Sequence, residues 1–416
     1  MRKSISVNIL FAFILSMTIN SCSNENYLET VTPTASYVSH RISAEQAQQN
    51  ALDFINGINI TRTSGQVITV SSIEAITKNH LVTRSDGDSI INLDTLLYAV
   101  NLNDNNGFVL ASVDDRVEPV IAYVEQGHFD EQDYSCLTDT ASIDSTNNSG
   151  YSIFMRNVLD IYLHDVGIYH KNVDIDIDWH GPSAHIYEYE HMPPLVKTKW
   201  GQLDYNGYCN GNVTGCAATA ISQICSFLEA PTFVSWSSGN DNGSSVIDWR
   251  RINAECKAND GQVISSDLKD QVAHLMRYWG LMFNTNYGWP DSPVSVSYAI
   301  STLQNLGYNA TSLEDYNAKN IIDSLKLRNR IVFMSGKDDD YEGHGWVVDG
   351  YIIKKEGPNR SYYLHCNWGH GGGQSCKNGY FLSTLLDESK DPDYEDGFTT
   401  RSGHYIYNLQ TSTITK

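Results

Sequence analysis

Basic residues are scarce in this 416-residue chain: 28 Lys and Arg stand against 49 Asp and Glu, a formal net charge of -21. No run of Lys or Arg interrupts that balance. The charge opposes binding to phosphate backbones, and no nucleic-acid partner is expected. The usual marks of a metal site are missing as well. No cysteine pair has Cys-x-x-Cys spacing and the histidines form no His-Glu-x-x-His pattern, so neither a metal nor another cofactor is expected. Long apolar runs are confined to the N-terminus, where Ile5 to Ile19 follows Arg2 and Lys3. That run is short for a transmembrane span and has the build of a signal segment.

The segment ends in Ile19-Asn20-Ser21-Cys22, which resembles a bacterial lipoprotein signal with Cys22 as the lipidated new N-terminus. Asn20 departs from the usual small residue there. An ordinary signal peptide cut nearby is the alternative, and on either reading the chain leaves the cytoplasm. Residues 1–22 are thus read as a signal, with attachment to an outer membrane or cell surface through the lipid, or release as a mature enzyme. Residues 23–36, rich in Asn, Ser, Thr and Glu, are read as a tether. Seven further cysteines remain, at 136, 209, 216, 225, 256, 366 and 376. An odd number leaves at least one thiol unpaired in the monomer. Cys366 and Cys376 flank a Gly-rich loop and could pair. The 25 tyrosines, with Trp, Asn and Gly, fit a β-rich exported domain.

A first domain over 37–180 opens with a helix signal: Ser43 as N-cap, Gln46 three residues on, apolar Ala44, Ala47, Ala51, Phe54 and Ile55, and Gly57 to stop it. Strands are expected over 66–76, 95–102, 107–113 and 120–124, with Asn105-Asn106-Gly107 as a hairpin turn. Asp114, Asp115 and Arg116 read as a turn with a local ion pair. A helix over 153–166 precedes an acidic, irregular stretch, 174–190, and with Pro182, Pro193 and Pro194 this marks the boundary and a plausible cleavage region.

The second domain, 181–416, carries the chemistry. In Thr214-Gly215-Cys216-Ala217-Ala218-Thr219-Ala220, a glycine-rich loop gives way to apolar residues at 217, 221, 224 and 228, one helix face. Cys216 therefore sits at a helix start, where free N–H groups and the dipole favour a thiolate. By itself the stretch fits a buried, inert cysteine better, because free cysteine is among the most buried residue types. Helices are expected over 266–278 and 295–306, then strands at 331–334, 345–353, 362–367 and 380–382, an antiparallel sheet or small barrel. His344 opens the second of these strands between Gly343 and Gly345. A cysteine nucleophile needs a base distant in sequence and near in the fold, and His344 fits that need. Asn367 is placed to orient an imidazole or merely to begin a turn, and Trp368 to shield the pair from water. Gln202, in Trp200-Gly201-Gln202, would offer an oxyanion donor beside the Cys216 N–H.

Those segments, with Gly343-His344-Gly345-Trp346-Val347-Val348-Asp349-Gly350-Tyr351 and Asn367-Trp368-Gly369, are similar, in the same order, to the streptopain family of papain-like cysteine peptidases. The likeness spans roughly 194–407. The first domain resembles that family's propeptide, chiefly at 106–116. The resemblance implies an α+β architecture: an α+β inhibitory propeptide, then a papain-like domain with a helical portion and an antiparallel sheet. It implies an exported zymogen of a cysteine endopeptidase acting on polypeptides, with its own propeptide as intramolecular inhibitor. Cys216 would be the nucleophile, His344 the base and acid, Gln202 the oxyanion donor, Trp368 a wall, and Asn367 a less secure orienter, since the family is often described as a Cys-His dyad. Departures fall at Gly345 and Trp346 and in the short segment between Gln202 and Cys216, which bears on the cleft edges. The alternatives are a papain-like cell-wall amidase or transpeptidase, or a non-catalytic adhesin or inhibitor lipoprotein.

Overall fold

The computed structural model describes residues 40–58, 68–77, 95–137, 150–152, 154–155, 158, 187–239, 241–288, 291–337, 343–386 and 407–416. The signal segment, Cys22, the tether and most of the acidic boundary lie outside these residues. Among the described residues no helix is long and apolar enough to cross a membrane.

The first domain opens with α1, Ala44–Gly57, and the Ser43 hydroxyl accepts the Gln46 N–H at 3.2 Å. Its apolar stripe, Ala47, Ala51, Phe54 and Ile55, is buried, as the spacing requires. Strands β1 (Val70–Thr77), β2 (Thr95–Leu102), β3 (Phe108–Ala111) and β4 (Val120–Val124) form an antiparallel meander. Asp104, Asn105 and Gly107 take positive φ between β2 and β3, the backbone that Asn, Asp and Gly tolerate. Arg116 binds Asp114 in a fork, Nε to Oδ1 at 2.9 Å and Nη2 to Oδ2 at 2.6 Å. A short helix, α2 (Glu131–Leu137), and helical residues at 150–152, 154–155 and 158 complete the domain.

The second domain begins with β5, Glu188–Met192. Its helical portion holds α3 (Cys216–Leu228), a hairpin of β6 (Phe233–Ser238) and β7 (Asp241–Val246), α4 (Trp249–Ala258), α5 (Ser266–Met282) and α6 (Val296–Asn305). Next come the short strands β8 (Asn309–Ala310) and β9 (Glu314–Asp315), then α7, Ala318–Leu325. Strands β10 (Ile331–Lys337), β11 (Gly343–Glu356), β12 (Asn359–Asn367), β13 (Gly379–Leu382) and β14 (Tyr407–Thr415) follow. They form no closed barrel. The strands of both domains run through one 12-stranded sheet in the order β1-β2-β3-β4-β13-β12-β11-β10-β14-β8, with β5 on β11 and β9 on β14. The joining pair is β4 with β13: Val124 opposite Gly379, Tyr123 opposite Tyr380, Ala122 opposite Phe381.

Alternation along the strands splits the core. Val332, Met334, Trp346 and Val348 face a cluster shared with the first domain, including Phe54, Phe108, Tyr151 and Phe154. Ile331, Phe333 and Val347 face a second cluster built from α3, α4, α5 and α6. The helical portion and the first domain thus cover opposite faces of the same strands.

Buried charges stitch the first domain on. Glu118 meets Lys354 at 2.5 Å, the Ser361 hydroxyl at 2.6 Å and the Tyr363 hydroxyl at 3.0 Å. Lys354 is 4 % exposed, so Glu118→Ala leaves a cation without a partner in a nearly dry site. The expected cost is about 3 kcal/mol, read as a lower urea midpoint of the intact chain against a Glu118→Gln variant that keeps a hydrogen-bonding side chain.

Candidate active site

Cys216 is the first residue of α3, and Gly215 before it holds a φ of +90°. A side chain at Gly215 would bring its Cβ within 3.0 Å of the Ser292 carbonyl oxygen and would sit in a left-handed conformation, so glycine is required. The loop is pinned on both sides. The Thr214 N–H and hydroxyl both donate to the Gln202 carbonyl, at 3.1 and 3.2 Å, and the Ser292 hydroxyl donates to the Val213 carbonyl at 2.9 Å. Gln202, 7 % exposed, is thereby held beside the start of the Cys216 helix. The backbone amides of Gly345, Ala217 and Cys216 itself face the sulfur and lower its pKa, yet burial is the larger effect and pushes the thiol up. The expectation of a thiolate at the helix start is corrected for this state: desolvation outweighs the dipole.

His344 stands near the start of β11, buried at 5 % exposure. Its Nε2–H donates to the Trp368 carbonyl at 2.8 Å, and its ring stacks on Trp346, 6.1 Å away and 15° from parallel. Burial lowers its pKa to about 4, so the imidazole is neutral. By strand alternation His344 shares the face of Trp346 and Val348, the face covered by the first domain, whereas Gly345 faces Ala217 on the Cys216 helix. The first domain presses directly on this pair: a Cβ on Gly150 would come within 2.6 Å of both His344 Cδ2 and Trp368 Cε3. Phe154 and Tyr151 pack on Phe381 at 4.6 and 6.3 Å, and the Tyr151 hydroxyl donates to Asp133 at 2.8 Å. Asp133, its pKa raised to about 6 chiefly by burial, in turn binds buried Lys377 of the second domain at 2.8 Å.

Trp368 is buried, and its indole N–H donates to the Lys377 carbonyl at 3.1 Å. Asn367 is not on the imidazole in this state. Its Nδ2 donates to the Thr198 carbonyl at 2.9 Å and to Gln223 Oε1 at 3.2 Å, while its Oδ1 accepts from Gln223 Nε2 at 3.2 Å and the Gly369 N–H at 3.3 Å. The reason is again alternation: Asn367 pairs with Val347, on the α3 side of the sheet. Cys366 and Cys376 are buried and unbridged; the other described cysteines are unbridged as well, all buried except the half-buried Cys216. Among the described residues no group of His, Cys, Asp and Glu could hold a metal.

Residues 197–381 match the model of the peptidase C10 family, and residues 39–139 match that of the Spi protease inhibitor. The second half is a peptidase C10 domain. The chain as a whole is a cysteine peptidase made as a zymogen, its first domain an intramolecular inhibitor. Among solved structures, a prointerpain A fragment from Prevotella intermedia is 18% identical, with 78% of this chain and 96% of that one covered and a TM-score of 0.48. Active interpain A from the same organism is 17% identical over 54% of this chain and 94% of that one, with a TM-score of 0.36. No curated protein matches the chain in sequence.

Sequence reading of the C10 domain missed a second buried cluster. The Asp349 carboxylate meets His365 Nδ1 at 2.5 Å and accepts the Val196 N–H at 2.9 Å, and His365 Nε2 lies 3.5 Å from Glu125 of the inhibitor domain. Despite burial, these carboxylates raise the His365 pKa to about 9. An Asp amid the apolar run Val347-Val348-Asp349 was the available signal, since a carboxylate there needs a buried partner. Gln223, the one long polar side chain among the small and apolar residues of the Cys216 helix, was a second.

For the zymogen the expected chemistry is that of an unassisted thiol. Iodoacetamide should alkylate Cys216 slowly at neutral pH, the rate rising only above the pH at which an ordinary thiol ionises. Gly150→Val, which drives a side chain into His344 and Trp368, should unseat the inhibitor domain and give fast alkylation near neutrality, measured by mass spectrometry of the Cys216 peptide.

Proposed function

We propose that the chain is exported, anchored through lipidated Cys22 or released, and acts as an endopeptidase on polypeptides, with Cys216 as nucleophile and His344 as its base and acid. The observation that supports this best is Cys216 at a glycine-capped helix start with its sulfur on the backbone of Gly345, the neighbour of His344. In the active form a Cys216 thiolate paired with imidazolium attacks the peptide carbonyl. Gln202 and the Cys216 N–H hold the oxyanion, and His344 protonates the leaving amine. Water assisted by His344 then cleaves the thioester, returning the thiol. Trp368 walls the pair from water. Asn367 acts through the Trp368 segment rather than on the imidazole of the zymogen.

Latency follows from the two neutral partners. An ion pair forms once His344 leaves the Trp368 carbonyl and its cover at Gly150. Cleavage between the domains, in the acidic stretch 174–190, frees the inhibitor domain over 37–180 from the peptidase domain over 181–416.

The test is expression of residues 23–416 with Cys22 replaced, as wild type and as Cys216→Ala, with casein hydrolysis and chain length followed under mild reduction. Wild type should shorten by the inhibitor domain, by itself or with a trace of trypsin, and gain activity that iodoacetamide abolishes. Cys216→Ala should stay inert even when trimmed. A trimmed, folded wild type without activity overturns the reading.

A further inference from the structure

We propose that Gln223 is a positioning residue of this active site, one buried amide that sets the oxyanion segment and the Trp368 segment against the Cys216 helix. This rests on the peptidase reading above and adds to it a residue that no motif marks.

Gln223 lies two turns along α3 from Cys216 and is fully buried. Its Oε1 accepts from the Trp200 N–H at 3.0 Å, the Asn367 Nδ2 at 3.2 Å and the Thr198 hydroxyl at 3.3 Å. Its Nε2 donates to Asn367 Oδ1 at 3.2 Å. One side chain therefore touches the segment that leads from Thr198 through Trp200 to Gln202, and the turn that leads from Asn367 through Trp368 to Gly369. Gly369, at a φ of +74°, lets that turn lie on the helix: a Cβ there would meet Thr219 Cγ2 at 3.5 Å and Gln223 Nε2 at 4.0 Å.

The paired amides of Gln223 and Asn367 are a closed arrangement in which each donates to the other's oxygen. Only an amide opposite an amide satisfies both. Asn367 is thereby fixed in one orientation, with its Oδ1 also holding the Gly369 N–H at 3.3 Å, and the Trp368 carbonyl that binds the His344 imidazole is carried on the same turn. On the other side, Trp200 is hydrogen-bonded two residues before Gln202. The network lies on the α3 face of the sheet, away from the inhibitor domain, so its partners all belong to the peptidase domain and stay in place when that domain leaves. Buried networks of this type fix one arrangement when complete and are costly when broken.

The experiment compares wild type, Gln223→Glu, Gln223→Met and Thr198→Val as full chains trimmed with trypsin, with activity expressed per titrated active-site thiol. Gln223→Glu keeps shape and acceptors but sets a carboxylate oxygen against Asn367 Oδ1. Its kcat on a peptide substrate should fall about 100-fold at neutral pH, with KM within about twofold. Activity should recover at acid pH, where the introduced carboxyl is protonated and can donate to Asn367. Gln223→Met should show the loss without the recovery. Thr198→Val, which deletes one donor at the edge of the network, should lose about fivefold. A residue that merely supports the fold would lower the urea midpoint and leave kcat per titrated site and its pH profile unchanged; that result in all the folded variants overturns the proposal. The pH profile of Cys216 alkylation, read on the same samples, reports site geometry without turnover. Its coincidence with wild type in every variant overturns the positioning role even if the peptidase reading has failed, and a shifted profile supports it.

Discussion

Gly379 is where the two domains become one sheet. A Cβ at this residue would lie 2.1 Å from the Tyr123 carbonyl oxygen and 2.8 Å from Val124 Cα, so only glycine lets β4 close on β13. Each hydrogen bond across the join contributes about 1 kcal/mol. The geometric effect is larger: the pairing sets the height and angle at which the inhibitor domain lies across the peptidase sheet. Gly150 on the imidazole, Phe154 on Phe381 and Glu125 near His365 all follow from it.

The consequence for chemistry is electrostatic. A cysteine peptidase works through a charged pair, and the surroundings of Cys216 and His344 in this state disfavour both charges. Burial raises one pKa and lowers the other, so thiol and imidazole are neutral together. The inhibitor domain need not fill the whole cleft to silence the enzyme. On the proposed reading it is enough that Gly150 covers an imidazole already engaged with the Trp368 carbonyl.

Buried ions at the join act in a different way. Glu118 with Lys354, Asp133 with Lys377 and Glu125 beside the His365–Asp349 pair each lie between the domains or at their edge. Such pairs add little net stability, because desolvation offsets attraction, yet any other docking would leave a buried charge without a counterion. They select one register for an interface whose apolar part would tolerate several.

Local patterns were legible in the residues themselves. Ser43 and Gln46 marked α1, Asn105 to Gly107 marked a turn, and the glycine before Cys216 with the apolar stripe after it marked α3 and its first residue. Each depends on neighbours within a few positions, and the period of side-chain burial then carries the reading along the element. The α4 and α7 helices, the β6–β7 hairpin and β5 escaped: α7 has a clear apolar face in Ile321, Ile322 and Leu325 but spans only eight residues, and β5 and the hairpin carry few apolar residues. The expectation that Cys216, His344, Gln202 and Trp368 work together came from the order of motifs, not from any local signal. Only the tertiary structure decided which face of β11 His344 occupies, that Asn367 meets Gln223, and that β4 joins β13. These rest on pairing between segments separated by more than a hundred residues, and the partner of a strand edge or a buried amide is written in the packing of the whole chain, not in the residues beside it.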